Sequence, residues 1–263
     1  MEHYLPDRNG RKKRTKQMTN FLYSNANYRN NRNNSLFGCA KPNTRTANQQ
    51  FRFYMASLSE IRKHFYKSRE ELKSITASLS FDNEQSSEQR ENALNYLWRS
   101  QIIMAYSAFD LYMHEVLYFG FYKMKNQEIS KSAKYLEKIK EEDTKKPWAF
   151  KKKLKESFGG ITLTTAQTWG EFFSWLTLNC EEMSAQYLNA HGMGYSKDNA
   201  GATLENDLKN NSSRRNALVH AYDYYDVLGG GQNPISQEKA EAYINFISGL
   251  VDSIDAYINS KWN

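Results

Sequence analysis

Apolar residues at helical spacing run through one unusually long stretch of this chain, from about residue 87 to residue 126. Side chains three, four and seven positions apart share one face of a helix, so this spacing predicts an amphipathic helix. The apolar stripe consists of Leu94, Leu97, Trp98, Ile102, Ala105, Phe109, Tyr112, Val116 and Phe119. A helix of this length either kinks or serves as the spine around which the remaining helices pack.

The same periodicity recurs along the chain, whereas alternating strand patterns are nearly absent. We predict helices from Gln49 to about Leu79, from residue 123 to Asp143, from Thr164 or Thr165 to Tyr187, over Ala202–Asn210, and from Pro234 or Ser236 onwards. In the helix predicted from residue 123 to Asp143 we expect four side chains to point inward: Ile129, Ala133, Leu136 and Ile139. The predicted fold is all-α, a single bundle of five to seven helices.

The positive charge is concentrated at the N-terminus. The first 50 residues hold ten Lys and Arg against Glu2 and Asp7, whereas the remainder has 26 basic and 27 acidic residues. A chain of this polar composition buries too little apolar surface to offset its conformational entropy. We therefore expect residues 1–48 to form a basic, mostly disordered arm and residues 49–263 to form the bundle. The arm either binds RNA or is simply solvated.

Several classes of protein are disfavoured by the sequence. Two cysteines provide neither a zinc site nor a disulfide framework, and no glycine-rich phosphate loop occurs, so we expect no metal and no cofactor. The N-terminus lacks the apolar segment of a secretory signal. The most apolar stretch, Met104–Met124, is interrupted by Asp110, His114 and Glu115, which argues against a membrane span. We expect a cytoplasmic protein.

The candidate catalytic residues are Arg215, Asn216 and His220. We predict that a helix begins just before them, with Ser212 or Ser213 as its cap. On that helix Asn216 and His220 share a face, and the longer Arg215 side chain lies roughly 140° from His220. Histidine transfers protons near neutral pH, and arginine offers a charged planar fork to phosphate oxygens. These residues suit proton transfer beside a phosphodiester without a metal.

This pattern resembles the signature of the HEPN superfamily, helical bundles in which Arg, a polar residue and a His lie on a late helix. The trailing His220-Ala221-Tyr222 is similar to the Arg…His-x-Tyr form of HEPN toxins. The segment Ser107–Tyr112 makes the RiboL-PSP-HEPN type the nearest likeness, over roughly residues 88 to 260. The resemblance implies a homodimer with a composite active site.

The implied activity is metal-independent endonucleolytic cleavage of RNA that leaves a 2′,3′-cyclic phosphate. Arg215 and His220 would be catalytic, with Asn216 orienting His220 or the substrate. Members often act as toxins or in antiphage defence, so the resemblance implies an antitoxin or a nucleotidyltransferase as partner. In HEPN toxins paired with a nucleotidyltransferase the tyrosine matching Tyr222 is adenylylated; the alternative is that Tyr222 is a packing residue. Other HEPN-like bundles are non-catalytic dimers that bind RNA or a protein, and this alternative stays open.

Further residues are predicted to support or extend this site. Asp110 matches an acidic position of the resembled family, and Asp110 and His114 lie four residues apart on the long helix. They either orient His220 or its substrate, or form an internal hydrogen-bonded pair. For RNA contact the candidates are Arg214, Lys151, Lys152 and Lys153. The alternative for the lysines is an ordinary solvated face.

Overall fold

Eight helices make up the described part of the chain. The computed structural model describes residues 56–77, 86–140, 142, 147–190, 200–220, 223 and 231–262. The helices are α1 (Leu58–Ala77), α2 (Ser87–Lys125), α3 (Ala133–Lys138), α4 (Pro147–Phe158), α5 (Ala166–Trp175), α6 (Cys180–Ala190), α7 (Ala200–His220) and α8 (Gln237–Trp262). No strand occurs in these ranges. The all-α prediction is confirmed, although the helices outnumber the five to seven expected.

Helix α2 is the spine of the bundle. It runs for 39 residues without a break, which corresponds to a length of about 58 Å. Its start is a capping box: the backbone N–H of Gln89 donates to Ser86 Oγ at 3.2 Å, and the N–H of Ser86 donates to Gln89 Oε1 at 2.9 Å. Because the cap and the apolar stripe act together, the prediction of this helix is accurate to within one residue at each end.

Helices α1 and α8 pack against α2. The ring of Phe65 on α1 contacts that of Tyr112 on α2, with 6.1 Å between centroids. The Tyr112 hydroxyl donates to the Val251 carbonyl of α8 at 3.5 Å. Arg62 and Asp252 join α1 to α8 through an ion pair of 2.6 Å at the surface. Helices α5, α6 and α7 pack on one another, α7 also contacts α2, and α6 contacts α8.

The single helix predicted from residue 164 to 187 is wrong, since two helices occupy this region. Thr177 takes a positive φ of 58°, which ends α5. The side chain of Asn179 then accepts from the backbone N–H of Glu181 at 2.9 Å and opens α6. An Asn that caps a helix end competes with the continuation of the helix through its own position.

The helix predicted from residue 123 to 143 is also largely wrong. Helix α3 covers only six residues, and Leu136 is 62% exposed where we expected it to point inward. Ser132 caps α3 by accepting from the N–H of Tyr135 at 3.1 Å, and the Tyr135 ring takes the buried position. Ile139 is buried as predicted, and Ile129 is partly buried.

Helix α7 contradicts the predicted break before the motif. We expected a short helix to end at Asn210 and a new one to begin at Ser212 or Ser213, yet one helix runs from Ala200 to His220. The Asn211 side chain donates to the Asp207 carbonyl at 2.7 Å, and the Ser212 hydroxyl donates to the Lys209 carbonyl at 3.2 Å. These side chains bond to the preceding turn instead of capping a new helix.

The predicted basic arm, residues 1–48, and the predicted start of the first helix at residue 49 lie outside the described residues. Among the helices that are described, none combines the length and the apolar character needed to cross a bilayer.

Candidate active site

The motif occupies the last two turns of α7. Arg215 is partly buried and Asn216 is exposed. The Arg215 guanidinium donates through Nη1 to Asn216 Oδ1 at 3.0 Å. His220 is the final residue of the helix, and its side chain lies outside the described part of the structure. Arg215 and Asn216 are thus adjacent and paired, and one turn of helix separates them from His220.

Arg214 points to a buried carboxylate. Its Nη2 lies 2.7 Å from Asp223 Oδ2, and the Arg214 side chain is only 14% exposed. Asp223, three residues beyond His220, is fully buried and takes a positive φ of 67°. Its backbone N–H donates to the Ala217 carbonyl at 2.9 Å, which ties the chain after the motif to the end of α7. The predicted RNA contact of Arg214 stays untested, but its guanidinium is engaged in an ion pair.

A second arginine binds the same carboxylate from the spine helix. Arg99 Nε donates to Asp223 Oδ2 at 3.0 Å, and Arg99 Nη2 donates to the Asn233 carbonyl at 2.9 Å. The Asn233 amide donates to both the carbonyl and Oδ1 of Asp223. We call Arg99, Arg214, Asp223 and Asn233 the Asp223 cluster. It fixes the chain on both sides of the motif relative to α2.

The Asp223 cluster was missed by the sequence analysis. One signal was present: Arg99 follows Trp98 and precedes Ile102 in the apolar stripe of α2, where a charged residue needs a buried partner. Nothing in the sequence identifies that partner, because Asp223 lies 124 positions further along the chain.

Tyr106 adds a buried hydroxyl next to the motif. It lies two helical turns beyond Arg99 on the same face of α2 and is only 2% exposed. Its hydroxyl makes no hydrogen bond within the part of the chain that the structure describes. Burial raises the pKa of Tyr106 well above its usual value, nearby Tyr243 adds to the rise, and the Arg215 guanidinium opposes it. Tyr106 is therefore neutral, and the charge of Arg215 acts on it through space.

Electrostatically, the end of α7 is positive. Two guanidinium groups, those of Arg99 and Arg214, share the Asp223 carboxylate, and a third, that of Arg215, follows Arg214 in the sequence and donates to Asn216. Cations near the carbonyl end of a helix also complement its dipole. The surroundings of Arg215 therefore favour an anionic ligand.

The RiboL-PSP-HEPN family model matches residues 63–260, which is most of the chain and includes both α2 and α7. The chain belongs to the RiboL-PSP-HEPN family. The resemblance expected from the motif and from Ser107–Tyr112 is thereby confirmed. No curated protein and no solved structure matches the chain.

In this HEPN chain, His114 contacts the last residue of α4 and Asp110 contacts the segment that follows it. Asp110 Oδ1 accepts from the backbone N–H of Leu163 at 2.8 Å. His114 Nε2 lies 3.1 Å from the Phe158 carbonyl, and Nδ1 lies 2.9 Å from the Asp110 carbonyl. A neutral imidazole donates from one of these nitrogens only. These contacts are the ones expected if Asp110 and His114 form an internal hydrogen-bonded pair. A role of the two residues in orienting His220 stays a prediction.

The lysines predicted to contact RNA lie on α4 of the HEPN bundle. Lys151 Nζ lies 3.4 Å from Glu115 Oε2 on α2. Lys152 pairs with Glu156 at 3.7 Å, one helical turn further on, and both side chains are more than half exposed. Lys153 is partly buried. Of the three, Lys152 is the most exposed to solvent.

Tyr222 and the residues beside it, 221 and 224–230, lie outside the described part of the structure. The predicted modification of Tyr222 therefore stays a prediction.

Proposed function

We propose that this protein is a metal-independent endoribonuclease that cleaves RNA by attack of a 2′-hydroxyl on the adjacent phosphate. The observation that carries the proposal is the Arg215–Asn216–His220 motif at the end of α7, in a chain of the RiboL-PSP-HEPN family. The positive surroundings of Arg215 support an anionic substrate, and Asn216 is exposed beside it.

The proposed reaction needs one base and one acid. The base removes the proton of the 2′-hydroxyl, whose oxygen forms a bond to phosphorus and gives a 2′,3′-cyclic phosphate. The bond to the 5′-oxygen breaks, and the acid protonates this leaving group. Arg215 neutralises the phosphate as negative charge accumulates on its oxygens, and His220 serves as base or acid. Asn216 orients the Arg215 guanidinium, to which its side-chain oxygen is bonded.

A second imidazole comes from a second chain in this proposal. The motif supplies one histidine per chain, whereas the reaction needs two proton-transfer groups. We propose a homodimer in which the ends of the two α7 helices form one composite site. A C2 dimer achieves this because it places the same surface of both chains at the axis.

The activity is tested with the purified full chain and a labelled single-stranded RNA in excess EDTA. Cleavage should persist, and the product should carry a 2′,3′-cyclic phosphate detectable by mass spectrometry. His220→Ala should lower the rate about 10²–10⁴-fold, the range for loss of an acid–base group. Arg215→Ala should also lower it strongly, and a 2′-deoxy nucleotide at the cut position should abolish cleavage there.

Lys209→Ala is the matched control for Arg215→Ala. Lys209 is an exposed cation on the same helix, one and a half turns before the motif, so its removal changes the net charge equally. It should leave the rate within about twofold of the unchanged protein, as is usual for surface substitutions. If His220→Ala retains full activity, or if EDTA removes the activity, the proposal is wrong.

A non-catalytic RNA-binding role is the second candidate. The exposed cations of α4 favour it, because they can hold RNA without His220. In that case His220→Ala leaves both RNA affinity and biological function unchanged, and the unaltered protein cuts no RNA.

The biological setting is part of the proposal. We propose a cytoplasmic toxin or antiphage enzyme whose activity is restrained by an antitoxin or a nucleotidyltransferase. A nucleotidyltransferase partner would attach AMP to Tyr222. Measuring the intact mass of the protein tests for the gain of one AMP, which Tyr222→Phe should prevent.

A further inference from the structure

Helix α4 carries an exposed groove formed by an aromatic ring and several lysines. The groove has a volume of about 530 Å³ and is lined by Trp148, Lys151, Lys152, Lys155 and Glu156. Positions 148, 152 and 155 are spaced by four and three residues, so they share one face of the helix. We call this surface the α4 groove.

Trp148 differs from every other tryptophan of the chain. It is 58% exposed, whereas the other four are at most 9% exposed: Trp98, Trp169, Trp175 and Trp262. Exposing a large aromatic surface to water is unfavourable, and rings of this size are enriched where a ligand covers them. The ring of Trp148 is thus free to stack on a flat partner.

Positive charge surrounds this ring. Lys155 is exposed, and among the described residues Lys152 pairs with Glu156, at 3.7 Å on the surface. Such an exposed pair contributes little to stability. A phosphate can therefore replace Glu156 as the partner of Lys152 without disturbing the fold.

We propose that the α4 groove binds a single-stranded segment of RNA. Trp148 stacks on an unpaired base, and Lys152 and Lys155 contact the neighbouring phosphates. A stacking ring within a row of cations is the arrangement that holds single strands without regard to sequence. An acidic peptide would use the lysines but has no base to stack on Trp148.

The α4 groove and the Asp223 cluster contact different levels of the spine helix. Lys151 pairs with Glu115, whereas Asp223, three residues after His220, pairs with Arg99, sixteen residues earlier on α2. Sixteen residues correspond to about 24 Å along the helix axis. The groove is thus a separate contact for an RNA longer than the few nucleotides at the cleavage site. This inference rests on RNA as the ligand in the proposed function, but not on cleavage.

Binding is measured on the full chain carrying His220→Ala, which keeps the RNA intact. The probe is a fluorescein-labelled 12-nucleotide single-stranded RNA of mixed sequence, followed by anisotropy. Adding Trp148→Ala should weaken binding about tenfold, because stacking of one base is lost. Trp148→Phe keeps a ring and should bind within about threefold of the His220→Ala protein. Tyr96→Ala removes another ring, 61% exposed, away from α4 and should change nothing.

Two further measurements separate stacking from charge. Lys152→Gln with Lys155→Gln should reduce the slope of log affinity against log salt by about 1.4, since each phosphate contact to a single strand contributes about 0.7. A duplex of the same sequence offers no unpaired base, so Trp148→Ala should leave its affinity unchanged.

The outcomes distinguish this inference from the proposed nuclease activity. The proposal for the α4 groove is overturned if Trp148→Ala and Tyr96→Ala bind the single strand with equal affinity. It is also overturned if Trp148→Ala loses as much affinity for the duplex as for the single strand. Both results would count even if the unaltered protein cuts RNA. The α4 groove is also overturned if a peptide of twelve glutamates displaces the RNA at equal concentration and loses as much affinity as the RNA does in the Trp148→Ala protein. If the unaltered protein cuts no RNA but Trp148→Ala weakens single-strand binding, the nuclease proposal fails and the α4 groove stands.

Discussion

Asp223 holds two guanidinium groups in a largely buried place. Its side chain is fully buried, and those of Arg99 and Arg214 are 9% and 14% exposed. Removing three charges from water costs several kcal/mol each, and their attraction offsets this cost only when the geometry and the hydrogen bonds are good. Both conditions hold, because Asn233 also donates to Asp223. The cluster therefore contributes to the position of the motif more than to net stability.

Removing the central carboxylate should be strongly destabilising. Asp223→Ala leaves two buried guanidinium groups without their counter-ion, so we expect a loss of about 3–5 kcal/mol in the free energy of unfolding. Urea denaturation followed by circular dichroism measures this loss.

The matched control is Asp252→Ala, which breaks the ion pair between Arg62 and Asp252. Its side chains are 46% and 48% exposed, so the expected loss is at most about 1 kcal/mol. Similar losses for both substitutions would show that the Asp223 cluster has no special energetic role.

The residue types at the candidate site could be predicted from the sequence, but their contacts could not. Arg215, Asn216 and His220 stand out because their chemistry and spacing are local. Asp223 and Arg99 do not, because their pairing depends on how α7 packs against α2. Tyr106 does not stand out either, because its burial and the influence of Arg215 on it depend on the same packing.

Among the elements, the long helices follow from periodicity and the short ones do not. Helices α2 and α8 have continuous apolar stripes, and their starts carry Ser86 and Ser236 as side-chain acceptors for backbone N–H groups. The errors lie where side chains bond to the local backbone. Asn179 does this to start α6, and Ser212 does it to let α7 continue. The same residue types perform both tasks, so composition alone cannot separate them.

The packing of α2 can be tested at Gly120. A Cβ built there overlaps the Leu176 side chain and comes within 2.7 Å of the Trp262 ring. Gly120→Ala should gain about 0.5–1 kcal/mol of helix propensity but lose more through overpacking, for a net loss of about 1–2 kcal/mol. The midpoint of urea denaturation measures the difference.

Gly170, on the exposed face of α5, provides the control. A Cβ there meets nothing within 4 Å, so Gly170→Ala should stabilise the protein by about 0.5–1 kcal/mol. Opposite signs at the two glycines are expected. A stabilising Gly120→Ala would mean that Leu176 and Trp262 do not pack against α2 as closely as described.

For the whole molecule, the proposed chemistry requires more than one chain. Each chain supplies one Arg215 and one His220, whereas the reaction needs a base and an acid. The bundle presents its motif at the end of a helix with Asn216 exposed, where another copy can approach it. If two chains share one site, loss of His220 from either chain inactivates that site. If each chain acts alone, only the altered chain loses activity.

Co-expression of unaltered and His220→Ala chains in equal amounts separates these cases. Random pairing gives about one quarter unaltered homodimers. The reference is a sample of unaltered protein with the same total number of chains as the mixture. Relative to it, a composite site predicts about 25% of the activity, whereas independent sites predict about 50%. Light scattering should first give a mass of about 61 kDa, twice the 30.7 kDa of one chain. Lys209→Ala chains, mixed in the same way, should leave the activity unchanged. A value near 50%, or a mass of one chain, would confine the chemistry to a single bundle and require a second proton-transfer group within it.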